Sequence, residues 1–228
     1  MPKYSGGFVK IHTADKGNCR KKPAQKHNLS FGCNRIVIAG PPNSGKSSLA
    51  LQIIAASAPV AEVFVIHGTP GTTEYDLVRH TKLETPPTAE EWSALSARNG
   101  GRFCIAVVDD YQGCDATKTE QRDIRMLLRT ISSHKNIQVI MTCHSLTNIP
   151  ASWRRCFDVF CLFRPQDQAS VPYLARQVGL ATRTLRAIFA KLRKRGQHSF
   201  LMIEDHPPPG RERLRIDGEF PLLLHDDA

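Results

Sequence analysis

RIVIAGPPNSGKSSLA, residues 35–50, decides the fold. Arg35 to Ala39 is a continuous apolar run of the kind that makes a strand buried on both faces. Ser47 to Ala58 carries Leu49, Leu51, Ile53 and Ile54 at helical spacing. Between them lies G-x-x-x-x-G-K-S, with Gly40, Gly45, Lys46 and Ser47 in the defining places. A glycine-rich turn between a buried strand and a helix is a phosphate cradle. Glycines supply unusual dihedrals and let backbone N–H groups approach the phosphates closely. The helix starting near Lys46 points its positive dipole end at them. Lys46 adds a point charge at the β and γ phosphates, and Ser47 offers a hydroxyl to Mg²⁺. The predicted cradle is Gly40, Pro41, Pro42, Asn43, Ser44, Gly45, Lys46, Ser47 and Ser48, the last reading mainly as a helix-start residue.

Working outward, strands and helices alternate. EVFVIH (62–67) is a second strand, and GTPGTT (68–73) is turn chemistry. Thr88 to Arg98 and Thr117 to Ser133 are helices, opening on the capping boxes T-A-E-E and T-K-T-E. Strands are predicted at 103–108, at 137–143 (IQVIMTC) and at 157–163 (FDVFCLF). Helices follow at 170–177 and 182–194, then a strand at 200–203, the turn HPPPG (206–210) and an antiparallel edge strand at 213–216. This order predicts an α/β P-loop NTPase domain over residues 31–228, with a mostly parallel central sheet flanked by helices. Residues 1–30 read as a basic arm, equally a tether to nucleic acid or a partner and a solvated tail.

A P-loop enzyme needs a carboxylate at the end of a neighbouring strand to hold the Mg²⁺ shell. FCIAVVDD ends with Asp109 in that place, and Asp110 follows where it orients or deprotonates the attacking water. The 137–143 strand runs into His144, placed to sense the γ-phosphate or the water. Arg154 and Arg155 precede the fifth strand and Arg164 ends it. One of them reaches a neighbouring subunit's triphosphate as an arginine finger, or the pair only solubilises an edge.

The totals set limits. The chain has 228 residues and a net charge of +10, which favours an acidic partner, nucleic acid first among them. No run reaches eighteen apolar residues, so no membrane-spanning helix is expected. The first thirty residues lack the apolar core of a signal peptide, so an intracellular location is expected. The seven cysteines are scattered without a C-x-x-C pair, which favours reduced thiols; Cys156, Cys161 and His144 lack the spacing of a zinc set.

Taken together, IVIAGPPNSGKSSL, EVFVIHG, CIAVVDDYQG, RTISSHKNIQVIMTCHS and FDVFCLFRPQDQASVPYLARQVG resemble the genome-packaging ATPases of large DNA viruses, the poxvirus-like group of the FtsK/HerA-type superfamily. They span roughly residues 34 to 205. The resemblance implies a RecA/FtsK-HerA-like fold, ATP and Mg²⁺ as cofactors, and a motor that moves double-stranded DNA into a preformed capsid. It also implies a pentameric or hexameric ring of identical subunits, a capsid vertex or other virion protein as partner, and a place in host cytoplasm, viral factory or virion. Walker A falls on Gly40 to Ser47, Walker B on Asp109 with Asp110 catalytic, and the sensor on His144. Many superfamily members carry Glu and Gln where this chain has Asp110 and His144. Under this resemblance the helix at 182–195 contacts DNA phosphates through its Arg and Lys residues, or is simply a solvated face. Two other classes remain: a P-loop nucleoside or small-molecule kinase, though no clear lid segment separates the fourth and fifth strands, and a nucleotide-gated interaction protein, though no N-K-x-D guanine motif is present.

Overall fold

The computed structural model of the chain describes residues 34–57, 59–67, 73–110, 116–207, 212–217 and 220–221. The expected arm at 1–30 lies outside the described residues, as do most of the 68–73 turn and part of the 206–210 turn.

The strands are β1 (Arg35–Ala39), β2 (Glu62–His67), β3 (Thr81–Leu83), β4 (Cys104–Asp109), β5 (Ile137–Cys143), β6 (Val159–Phe163), β7 (Phe200–Glu204), β8 (Leu214–Ile216) and β9 (Phe220–Pro221). They form a single nine-stranded sheet in the order β3-β2-β4-β5-β1-β6-β7-β8-β9. From β3 to β6 every pairing is parallel. β7, β8 and β9 add on antiparallel. The edge strand expected at 213–216 is β8; it pairs with β7 as foreseen, but β9 continues the sheet beyond it, so it is not the edge. β3 was not foreseen. It is three residues long and half exposed, too short to show a period.

The helices are α1 (Lys46–Ala56), α2 (Ala89–Arg98), α3 (Lys118–Met126), α4 (Ser132–His134), α5 (Ala151–Arg154), α6 (Val171–Gln177) and α7 (Thr182–Arg195). Both capping boxes form. Thr88 accepts from the Glu91 amide and Thr117 from the Glu120 amide, while each glutamate accepts from the cap amide. The helix expected at 117–133 is interrupted: α3 passes through a π-helical turn, Leu127–Ile131, before α4. Arg35 explains how that turn is tolerated. Its Nη1 donates to the Leu128 carbonyl at 3.1 Å, satisfying an acceptor the widened turn exposes. The same guanidinium makes a fork to Asp158, Nε to Oδ2 and Nη2 to Oδ1, both at 2.8 Å. This pins the start of β1 to the residue before β6.

Alternate strand residues divide the core into two layers. Ile36, Ile38, Val107 and Ile140 pack under α1, with Leu49, Ile53 and Ile54. Val37, Ala39, Val139 and Met141 face the other way, under α2, α3, α5, α6 and α7. Each fully buried Ile or Leu contributes about 1.5–3 kcal/mol relative to exposure. Both faces of the central strands are therefore covered, which leaves their C-terminal ends as the open rim.

Candidate nucleotide site

The cradle stands at the C-terminal end of β1. Asn43 at φ 59° and Gly45 at φ 103° curl the backbone before α1 begins. A Cβ on Gly40 would lie 2.6 Å from Phe163 Cβ and 2.8 Å from Ser44 Oγ, so only glycine lets the loop leave the strand here. Lys46 is largely buried and its Nζ donates to the Pro41 carbonyl at 3.1 Å. Burial lowers its pKa, against the pull of Asp110, Cys143 and Asp109. A buried ammonium held by one neutral carbonyl lacks an anionic partner of its own. Ser44 Oγ, also buried, has no hydrogen-bond partner. The residues present thus fit the phosphates of a nucleotide.

The acidic side is built on the ends of β4 and β5. Asp109 Oδ1 accepts from the Tyr75 hydroxyl and from Thr142 Oγ1, each at 2.8 Å. Its Oδ2 lies 3.5 Å from His67 Nδ1. Asp110 adopts φ 48°, a left-handed conformation that costs a non-glycine residue about 1–3 kcal/mol. The same Thr142 hydroxyl holds it there by accepting from the Asp110 amide at 2.8 Å. Asp110 Oδ2 lies 3.0 Å from His144 Nε2, a contact that places the proton on that nitrogen. The outer atoms of the pair, Asp110 Oδ1 and His144 Nδ1, are buried without partners.

Ser47 and Asp109, the residues expected to serve Mg²⁺, are linked through Tyr75, whose hydroxyl also interacts with the Ser47 side chain. Burial, the Asp109 charge and its hydrogen bond raise the Tyr75 pKa well above 10.0, so it remains a donor. Among the described residues no group of three or more His, Cys, Asp or Glu is clustered to cage a metal. A hydroxyl and a single carboxylate fit Mg²⁺, which keeps several waters and is bound largely through substrate phosphates.

The structure therefore brings together Gly40 to Ser48, Asp109, Asp110 and His144 on one rim. It treats the arginines differently. Arg154 Nη1 donates to the Leu146 and Ile149 carbonyls, and its guanidinium stands 5.2 Å over the Tyr173 ring. Arg155 and Arg164 are exposed. Arg164 lines a cavity of about 380 Å³ beside the loop, with Pro41, Pro42, Ser44, Phe163 and Gln197.

Sequence reading missed Thr142 as a structural pivot, and missed Tyr75, His67 and His198. His198, between α7 and β7, places Nδ1 3.0 Å from the Ser44 carbonyl and so supports the loop from 154 positions away. A polar residue one turn of strand before a predicted sensor was a usable signal for Thr142. Nothing local marks the other three.

Neither a protein-family model nor a curated protein matches the sequence. Solved structures do match. The DNA-packaging ATPase B204 of Sulfolobus turreted icosahedral virus is 13% identical, covers 84% of this chain and 99% of its own, and has a TM-score of 0.58. The genome packaging NTPase B204 of Sulfolobus turreted icosahedral virus 2 in complex with AMP is 14% identical, covers 86% and 100%, and has a TM-score of 0.55. The same protein in complex with ATP-gammaS, at 15% identity over 84% and 98%, has a TM-score of 0.51. At these identities the likeness is one of fold alone. The chain has the P-loop ATPase fold of these viral packaging proteins, with β5 inserted between the cradle strand and the acidic strand.

Proposed function

We propose that the chain is an ATP-hydrolysing motor that translocates double-stranded DNA and packages a viral genome into a preformed capsid. The observation that carries hydrolysis is the Asp110–His144 pair, 3.0 Å apart at the ends of β4 and β5 with an unmatched buried atom on each partner. An ordered water between such groups has both an acceptor and a positioned imidazole beside it. Asp110 takes the proton of the attacking water, and His144 holds that carboxylate and reports on the γ-phosphate. Lys46 spreads its charge over the β and γ oxygens, and the loop amides orient them. Ser47 and Asp109 would hold Mg²⁺, which when bound would supply charge neutralisation at the phosphates. Arg155 is the freer candidate for a finger into the next subunit, because Arg154 already serves two carbonyls and an aromatic ring.

The fold likeness to packaging ATPases and the net charge of +10 support DNA as the moved substrate. In this reading residues 31–228 are the ATPase unit, residues 1–30 a basic arm, and identical subunits form a pentameric or hexameric ring that docks on a capsid vertex in the host cell or virion. Exposed cations of α7, among them Arg183, Arg186, Lys191 and Lys194, contact the DNA backbone. Among the described residues no helix is long and apolar enough to cross a membrane.

The test is phosphate release against protein concentration, with and without duplex DNA, for wild type, Lys46→Ala and Asp110→Asn. Turnover should rise with assembly and with duplex, and both variants should lose it. A protein that stays monomeric with DNA and hydrolyses ATP without regard to it would overturn the motor. Label transferred to a nucleoside instead of water would make it a kinase.

A further inference from the structure

The cations of this chain are not spread evenly over its helices. α1, which covers one face of the sheet, has no charged residue except the buried Lys46. The opposite helical layer holds α7, and no Asp or Glu occurs between Gln168 and Ile203. It also holds α3, whose charges follow a pattern the DNA reading above does not use. Lys118, Arg122, Arg125 and Arg129 are all exposed and recur at intervals of four, three and four residues. That spacing puts Lys118, Arg122 and Arg125 on one stripe of α3, and Arg129 follows them on the π turn. The acids within α3 offset little of the stripe: Glu120 is engaged in the capping box, and the buried Asp123 accepts from Arg122 Nε at 3.4 Å, leaving Lys118, Arg125 and Arg129 without an acid on this helix.

α3 starts eight positions after Asp110, and the π turn that follows it receives the Arg35 bond from the start of β1. Ile124, Leu127, Leu128 and Ile131 hold its other face in the core above β4 and β5.

We propose that the α3 stripe, Lys118, Arg122, Arg125 and Arg129, is a second duplex-DNA contact on the same side of the sheet as α7, gripping the phosphate backbone without reading sequence. The proposal rests on the motor reading given above. From Lys118 to Arg129 the helix rises about 16 Å, over which one DNA strand presents about five phosphates. Three guanidiniums and an ammonium match that line of charge, and Arg offers phosphate a two-pronged donor.

The test measures binding of a 30-base-pair duplex by fluorescence anisotropy across salt concentrations, in the presence of ATP-gammaS. The protein is wild type, Arg122→Ala/Arg125→Ala/Arg129→Ala, or the same three changed to Lys. Losing three phosphate contacts should flatten the slope of log K against log salt by about 2.7, which is about 500-fold weaker binding at 0.1 M salt. The lysine triple should keep most of the slope, and two duplexes of unrelated sequence should behave alike. Melting temperature verifies folding. If the alanine triple does not fold, Arg125→Ala alone should lose a slope of about 0.9. An alanine variant with the wild-type slope overturns the α3 contact and leaves the motor standing. A wild type that binds no duplex overturns both. Polyglutamate that displaces duplex at equal charge concentration overturns the DNA assignment in favour of an acidic protein partner.

Discussion

Thr142→Val should be among the most damaging isosteric changes in this chain. The Thr142 hydroxyl is fully buried, donates to Asp109 Oδ1 and accepts from the Asp110 amide, both at 2.8 Å. Valine keeps the volume and removes both bonds. The bond to an ionised carboxylate is worth about 1.5–3 kcal/mol, and a backbone N–H left unsatisfied adds about 1–3 kcal/mol. Asp109 keeps the Tyr75 donor, and the added methyl returns about 0.8 kcal/mol, so a net loss of about 2–4 kcal/mol follows. For a chain of this size that lowers Tm by about 6–12 °C at the middle of the range. Urea unfolding followed by tryptophan fluorescence measures it directly, because Trp92 and Trp153 are both buried in the core. Thr142→Ser keeps the hydroxyl and should lose about 1 kcal/mol. The same substitution removes what holds Asp110 at φ 48°, so phosphate release should fall at least tenfold in Thr142→Val and much less in the serine variant. A valine variant unfolding within about 0.5 kcal/mol of wild type would refute the reasoning, since the hydroxyl would then be doing neither job.

Other outcomes follow from the same geometry. Burial pushes the Glu62 pKa up, but hydrogen bonds from Thr81, Asn99 and Arg98 outweigh it and hold it below the ordinary 4.5. Its contribution is complete above that ordinary value and is lost as pH falls through the lowered one; Glu62→Gln should flatten this part of an acid-unfolding curve. Burial raises the Cys104 thiol to about 11 and the Cys143 and Cys161 thiols to about 12, so iodoacetamide at pH 8 should modify Cys156 before them in the folded protein, as peptide mass spectrometry will show. Gly45→Ala forces a Cβ onto φ 103° and to 3.3 Å from His198 Nδ1; it should cost about 1–3 kcal/mol in thermal unfolding and weaken ATP-gammaS binding. His198→Ala should cost less, because it removes only the prop beneath the Ser44 carbonyl, and calorimetry should rank the two in that order.

What was legible in advance was whatever is local. The strand–loop–helix unit at 35–56, the two capping boxes and the buried strands at 62–67 and 137–143 each declare themselves within a dozen residues. Asp109 and Asp110 were readable because a carboxylate pair ended an apolar run. The contacts that arm them were not. Tyr75 reaches Asp109 across 34 positions from a short 3-10 turn that has no period. The π turn after α3 is met by a bond from Arg35, 93 positions away, and a smooth helical pattern in the sequence concealed it. The strand at 213–216 was legible but reading it as the edge was wrong, since what lies outside a strand is a property of the whole sheet.

At the start of the loop, the Gly40 amide donates to the Cys143 carbonyl at 3.1 Å, in the same strand end that supports both aspartates through Thr142. The clasp joining the two halves of the machinery is thus main chain to main chain. Drift at position 143 leaves it untouched whatever side chain arrives. At position 40 the tolerance ends: proline removes the donor, and any other side chain meets Phe163 and Ser44.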